Sequence, residues 1–147
     1  MEPTETSAEG PSKGALLVAC TDEARSALNG DASVRIERFP CNVGRESRTA
    51  RAKQVMSVER QMGVVPPLND LFLKQDSSRR YVSREHFRIS FVQGRYVLTD
   101  RGSTLGTTVN GVTIGGRRSG GHVDLHHGDQ IGVGDTASPI VFEFRVE

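Results

Sequence analysis

Apolar residues alternate with polar ones along several short segments of this chain. Val34 and Ile36 alternate with charged neighbours, and Phe87, Ile89 and Phe91 have the same spacing. Successive side chains of a β-strand point to opposite faces, so a period of two places the apolar set on one face of a sheet. The pattern predicts half-buried strands. It recurs near the end of the chain, at Ile140, Phe142, Phe144 and Val146.

Turn sequences separate these segments at close intervals. Gln93-Gly94 lies between two predicted strands, Asn110-Gly111 joins two more, and His127-Gly128-Asp129 precedes another. Asn-Gly is a strong hairpin signal because both central residues of a type I′ turn need a positive φ. Many short strands with little helix favour an all-β fold, an antiparallel β-sandwich.

The length and composition predict one soluble domain. The chain has 147 residues, of which 35% are hydrophobic and 25% charged, which is typical of a single globular core. Residues 1–13 contain almost nothing to bury, so they are predicted to be a disordered tail. We place the domain at residues 14–147.

Residues 46–62 depart from the strand pattern. They are rich in Ala, Arg, Lys, Gln and Met and contain neither Gly nor Pro, a composition that favours helix. We predict a helical insertion there, ended by Gly63 and the Pro66-Pro67 pair. Its excess of cations is interpreted as a solvated helix face, and a second basic contact surface is the alternative.

The charge and the termini exclude several classes of partner. A formal net charge of +1 offers no general attraction to nucleic acid. No apolar run approaches the length of a membrane span, and the first residues lack the basic and apolar regions of a signal peptide. We therefore expect neither nucleic acid nor membrane as a partner, and a cytoplasmic location.

No metal or other cofactor is expected either. Cys20 and Cys41 are far apart and share no motif with neighbouring ligands, so buried free thiols are the preferred interpretation. His122, His126 and His127 do not have a recognised ligand spacing. They are predicted to be exposed strand residues.

Three segments combine residues that suit a phosphate dianion. They are Gly44-Arg45, the segment from Ser83 to His86, and the loop from Asp100 to Gly111. Arginine presents a planar fork of donors that matches phosphate and keeps its charge near neutral pH. Hydroxyl groups donate without a competing charge, and glycines let backbone N–H groups approach a ligand.

At these residues the chain resembles the forkhead-associated (FHA) family. That family has Gly-Arg, then Ser-x-x-His, then a loop close to Asp-x-x-Ser-x-Asn-Gly-Thr followed by Val-Asn-Gly. The resemblance spans about residues 14–147 and departs from the loop pattern at one position. It implies a SMAD/FHA-like sandwich of about eleven strands, with the binding loops at one end. It also implies that the chain binds phosphothreonine.

The resemblance implies a role for each matching residue. Arg45 and Ser83 hold the phosphate and Arg84 assists, while Thr104 donates to the phosphate or shapes the slot for the threonine methyl. The family's asparagine, which grips the peptide backbone, is replaced here by Leu105, so either affinity falls or the partner is held differently. Three further residues support the loops without touching the ligand: Gly44, His86 and Asn110.

A hydroxyl and an imidazole are also the usual nucleophile and base of an enzyme. Ser83 and His86 are three residues apart, which on a strand edge places them on opposite faces. The resemblance implies a structural histidine at this position. We therefore predict that the chain is not an enzyme.

The predicted function is a phosphothreonine-dependent adaptor in serine/threonine kinase signalling, whose partner is a threonine-phosphorylated protein. The alternative is a scaffold with the same fold that binds an unphosphorylated partner through the helical insertion, and Leu105 is its main support. A third hypothesis, nucleic-acid binding through the basic insertion, is disfavoured by the near-zero net charge.

Overall fold

The chain forms eleven β-strands in a computed structural model that describes residues 14–46, 69–75 and 81–147. One short helix within those residues, α1 (Asp22–Ala27), follows the first strand. The all-β prediction is confirmed, as is the number of strands. In chain order the strands are β1 (Ala15–Ala19), β2 (Ser33–Ile36), β3 (Cys41–Arg45), β4 (Leu71–Leu73), β5 (Phe87–Val92), β6 (Arg95–Asp100), β7 (Thr107–Val109), β8 (Val112–Ile114), β9 (Gly121–Leu125), β10 (Gln130–Val133) and β11 (Val141–Val146).

The strands form two sheets. One has the order β2–β1–β11–β10–β7–β8, and the other has the order β4–β3–β5–β6–β9. β3 and β4 pair in parallel, with Val43 opposite Leu71, which departs from the antiparallel prediction. A parallel pair needs a crossover of about a dozen residues or more, and residues 46–70 provide that length. The other strand pairs are antiparallel.

The apolar faces of the two sheets form one core. Phe142 and Phe144 of β11 are fully buried, as are Phe87 and Ile89 of β5. Tyr96 of β6 joins the layers, because its ring centroid lies 5.2 Å from that of Phe144. Each such apolar side chain contributes about 1.5–3 kcal/mol when it is buried. The core therefore fixes the sandwich, and the loops at its ends can carry the site.

The predicted hairpin turns have the required backbone geometry. Asn110 and Gly111 have φ of 52° and 83°, and they connect β7 to β8. Gln93 and Gly94 have φ of 51° and 78°, and they connect β5 to β6. Both turns have positive φ at the two central residues, as a type I′ turn requires.

The short helix α1 was not predicted from the sequence. Thr21 caps it, because its hydroxyl oxygen accepts a hydrogen bond from the Ala24 N–H at 3.0 Å. The same hydroxyl donates to the Pro139 carbonyl at 2.5 Å, and this bond fastens the helix to the connection before β11. A threonine followed by two acidic residues is a recognisable start signal, but one that marks only a six-residue helix.

Two predicted segments fall outside the described residues. These are the disordered tail, residues 1–13, and the helical insertion, residues 46–62, of which only Glu46 is described. The Glu46 N–H donates to the Leu73 carbonyl at 2.9 Å, so this residue continues the pairing of β3 with β4. The tail, the insertion and the domain bounds stay predictions.

The two cysteines differ in exposure. Both are free, but Cys41 is buried and Cys20 is exposed, so the prediction of two buried thiols was wrong for Cys20. It follows β1 at the edge of the core, where the alternation has ended. Burial and the nearby Asp70 carboxylate raise the pKa of Cys41 to about 12, so this thiol stays protonated near neutral pH.

Two features are absent from the described part of the chain: a cluster of metal ligands and a helix that could span a membrane. There, His, Cys, Asp and Glu side chains form no group of three or more that is placed to hold a metal ion. No helix in that part is long and apolar enough to cross a membrane.

Candidate functional site

The three phosphate-suited segments meet at one end of the sandwich. Arg45 ends β3, and its backbone N–H donates to the Ser83 carbonyl at 2.9 Å. Its guanidinium Nη1 donates to the Val82 carbonyl at 2.9 Å. Arg45 therefore lies next to Val82 and Ser83, although Val82 follows Arg45 by 37 residues in the chain. Both are half-buried.

Ser83 also contacts the third segment. Its Oγ accepts a hydrogen bond from the Thr104 N–H at 3.1 Å. This contact uses a lone pair and leaves the hydroxyl hydrogen to donate to another acceptor. Because Thr104 is exposed, the junction of Ser83 with Thr104 lies where a ligand can reach it.

The His86 side chain connects the second and third segments from inside the domain. Its Nδ1 accepts from the Ser83 N–H at 2.9 Å, which places the ring proton on Nε2. Nε2 then donates to the Gly106 carbonyl at 2.7 Å, and the imidazole is fully buried. Residues 81–86 form no strand, so the prediction that a strand edge separates Ser83 from His86 was wrong. The ring nevertheless bonds the Ser83 backbone, where it is not placed to activate the hydroxyl.

Asp100 holds the loop that carries Thr104. Its Oδ1 accepts from the N–H groups of Gly102 and Ser103, at 2.9 and 2.8 Å. Its Oδ2 accepts from the hydroxyls of Ser103 and Thr107, at 2.6 and 2.8 Å. The carboxylate is only 3% exposed, so four donors compensate its removal from water. This side chain sets the path of the loop.

Gly44 leaves space for the segment that carries Ser83. A methyl group on Gly44 would overlap the backbone carbonyl of Arg84. That carbonyl accepts from Asn69 Nδ2 at 2.7 Å. Arg101 donates to Asn69 Oδ1 at 2.5 Å and to Glu85 at 3.2 Å. This layer fixes the Arg84 backbone and leaves its side chain exposed.

The remaining predicted residues divide between two places. Leu105 is half-buried and follows Thr104 in the loop, so it lies in the site. Asn110 lies at the opposite end of β7 from Gly106. There its side chain donates to Asp129 Oδ1 and accepts from the Gln130 N–H, both at 2.9 Å. The structure thus brings together all the predicted residues except Asn110.

Three residues of the site were not predicted to have a role. Asp100 was predicted only as part of a motif, although the Asp-x-x-Ser spacing is a signal for a carboxylate that caps its own loop. Asn69 and Arg101 carry no such signal. They lie 32 residues apart, and only the fold makes them neighbours.

Acidification is expected to destabilise the fold through His86. Burial lowers the pKa of this imidazole from its ordinary value, against smaller opposing effects of the Gly106 carbonyl and the Asp100 carboxylate. The unfolded chain, whose histidine keeps a pKa of about 6.5, then binds the proton more readily than the folded chain. This contribution of His86 to stability is fully present above about pH 6.5, the pKa of the unfolded histidine. It is lost as the pH falls towards the lower pKa of the folded state.

Urea unfolding at about pH 7.5 and about pH 5.5 measures this loss. The wild-type protein should be less stable at the lower pH, and His86→Gln should reduce the difference between the two conditions. His122→Gln, at an exposed position of β9, is the matched control and should retain the wild-type difference. Equal wild-type stability at both values would contradict the expectation.

Comparisons with known proteins identify the family and the fold of the chain. The family model described as "FHA domain" matches residues 42–134. Among curated protein sequences, none matches the chain.

Several solved structures share the fold. An engineered FHA domain with a Myc-pTBD peptide has a TM-score of 0.57 at 18% identity, covering 93% of this chain and 94% of that one. The Mycobacterium tuberculosis Rv1747 FHA-1 domain has 0.54 at 19%, covering 92% and 98%. Mycobacterium tuberculosis EmbR, in complex with a low-affinity phosphopeptide, also has 0.54 at 19%, covering 92% of this chain and 25% of EmbR. The family match spans more than half of the sequence, and the chain belongs to the FHA domain family.

Proposed function

We propose that the chain is a phosphothreonine-binding module that recruits a threonine-phosphorylated protein in serine/threonine kinase signalling. The observation that carries this proposal is the pairing of Arg45 with Ser83 at an accessible end of the sandwich. A permanent cation and a hydroxyl donor, held together by the Arg45 N–H to Ser83 carbonyl bond, form a receptor for a phosphate dianion.

The energetics of a few such contacts are sufficient. Charge-assisted hydrogen bonds contribute roughly 1.5–3 kcal/mol each, and a micromolar dissociation constant corresponds to about −8 kcal/mol. Two or three bonds from Arg45, Ser83 and Thr104 therefore supply most of that affinity, and Arg84 lies exposed beside them. Binding alone accounts for the arrangement, because both nitrogens of His86 are engaged with backbone groups.

Threonine is the proposed carrier of the phosphate. A buried methyl group contributes about 0.8 kcal/mol, so a slot beside Thr104 and Leu105 would favour phosphothreonine over phosphoserine a few-fold. Two similar proteins support a peptide ligand. The EmbR structure contains a phosphopeptide, and the engineered FHA domain contains a Myc-pTBD peptide.

Leu105 supports a second candidate function. Its side chain has no hydrogen-bonding group, so it cannot grip a peptide backbone as an asparagine would. A scaffold that binds an unphosphorylated partner through the same fold would not need that grip.

One set of calorimetric titrations separates these candidates. Matched peptides carry threonine, phosphoserine or phosphothreonine, a DNA duplex is the control, and each ligand is measured at two salt concentrations. We expect micromolar binding of the phosphothreonine peptide, binding a few-fold weaker for phosphoserine, and binding at least about 100-fold weaker for threonine, which corresponds to about 2.7 kcal/mol. Equal affinity for threonine and phosphothreonine would favour the scaffold. Salt-sensitive binding of DNA alone would favour a nucleic-acid function.

A further inference from the structure

The connection between β8 and β9 places two adjacent arginines next to the site. We call residues 115–120, with the sequence Gly-Gly-Arg-Arg-Ser-Gly, the arginine loop. Arg117 and Arg118 have φ of 53° and 61°, a left-handed conformation that is uncommon for residues other than glycine. Such a conformation persists only where the surrounding structure holds it.

Backbone hydrogen bonds hold the arginine loop against the loop between β6 and β7, which carries Thr104. The Arg117 N–H donates to the Thr104 carbonyl at 2.8 Å, and the Arg118 N–H donates to the Ser103 carbonyl at 2.9 Å. A methyl group on Gly115 would lie 2.7 Å from Asp100 Cγ, which shows how closely the two loops pack. Thr104 thus contacts the arginine loop through its carbonyl and Ser83 Oγ through its N–H.

The charges of the two arginines are not neutralised by the described part of the chain. Both side chains are exposed, and within residues 14–46, 69–75 and 81–147 neither makes an ion pair or a side-chain hydrogen bond. Arg35 and Arg95 are also exposed, yet each pairs with a carboxylate. The arginine loop therefore presents two guanidinium groups towards solvent at this end of the sandwich.

We propose that the arginine loop is a subsite for acidic side chains that flank the phosphothreonine. This inference rests on the proposed function, which places the phosphate at Arg45 and Ser83. An extended peptide advances about 3.3–3.6 Å per residue. Side chains two or three residues from the phosphothreonine then pass over Thr104 to the arginines. The guanidinium fork matches a carboxylate with two parallel hydrogen bonds.

The subsite also compensates for Leu105. Where the side chain at this position cannot bond the peptide backbone, the register of the peptide must be set by other contacts. Peptide carboxylates bound to the arginine loop would set that register, because the loop lies at a fixed distance from the phosphate site. The preferred ligand is then a phosphothreonine in an acidic sequence.

Two phosphopeptides and three forms of the protein test the inference. The peptides share one phosphothreonine and carry either Asp and Glu, or Asn and Gln, two and three residues away on both sides. The neutral variant is Arg117→Asn with Arg118→Asn, since asparagine tolerates positive φ better than most residues. The matched control is Arg95→Gln with Arg145→Gln, which removes the same charge from exposed positions at the other end of the strands.

The wild-type protein and the control should bind the acidic peptide about fivefold more tightly than the neutral one. This preference should shrink as the ionic strength rises. The neutral variant should lose it, while its affinity for the neutral peptide and its melting temperature stay at wild-type values. Equal wild-type affinity for the two peptides, or a preference that persists in the neutral variant, would overturn the inference. Failure of the wild-type protein to bind either phosphopeptide would instead refute the proposed function.

Discussion

Arg45→Ala is expected to abolish measurable binding of a phosphothreonine peptide, with a loss of affinity of at least about 100-fold. The substitution removes the permanent charge next to Ser83, and two charge-assisted bonds of about 1.5–3 kcal/mol each account for the loss. Arg45→Lys should recover only part of the affinity, since an ammonium group cannot form the bidentate pair. Calorimetry with the matched peptides measures both variants.

The effect on folding should be small by comparison. Arg45 Nη1 donates to the Val82 carbonyl, and loss of one such bond costs about 1 kcal/mol, so the melting temperature should fall by a few degrees. Arg95→Ala is the matched control, because it removes an exposed arginine at the end of the sandwich opposite the site, where β6 begins. If Arg45→Ala binds within a factor of a few of the wild-type protein, the proposed site is wrong.

Asp100→Ala is expected to cause the largest loss of stability among the site residues. Four donors in a buried environment would lose their acceptor: two N–H groups, of Gly102 and Ser103, and two hydroxyls, of Ser103 and Thr107. Each unsatisfied buried group costs about 1–3 kcal/mol, although water entering the space would reduce the sum. We expect a decrease of at least about 3 kcal/mol in the free energy of unfolding.

Urea denaturation of three variants and the wild-type protein checks this value. Asp124→Ala, which removes an exposed carboxylate from the neighbouring strand β9, is the control and should change stability by less than about 0.5 kcal/mol. Asp100→Asn keeps one acceptor oxygen and the shape of the side chain, so its effect should lie between the other two. A loss below about 1 kcal/mol for Asp100→Ala would mean that the loop is held by other contacts.

Much of the fold followed from local chemistry. The alternation at Phe87 and Ile89 predicted β5, because a strand with one buried face has apolar and polar side chains at alternating positions. Asn110-Gly111 predicted a hairpin because the positive φ required there is a property of those two residues. The helix α1 is the converse case. Its six residues carry too short a signal to stand out, and contacts with β1, β11 and Lys74 complete it.

The residue types of the site were also accessible from the sequence. Arg45 and Ser83 were chosen because guanidinium and hydroxyl groups suit phosphate, and the resemblance to a family supplied their order along the chain. Their roles towards a ligand remain predictions. Asn110 shows the limit of this approach, because it belongs to the same motif but lies at the other end of β7, bonded to Asp129.

The sequence by itself determined the strands, the tight turns and the donors available for a dianion, since each depends on neighbouring residues. Only the tertiary structure decided which donors meet. It placed the Thr104 N–H on Ser83, the His86 ring between Ser83 and Gly106, and the arginine loop against Thr104. These contacts join residues distant in the chain, and their geometry is set by the packing of two sheets around one core. No local pattern of residues encodes that packing.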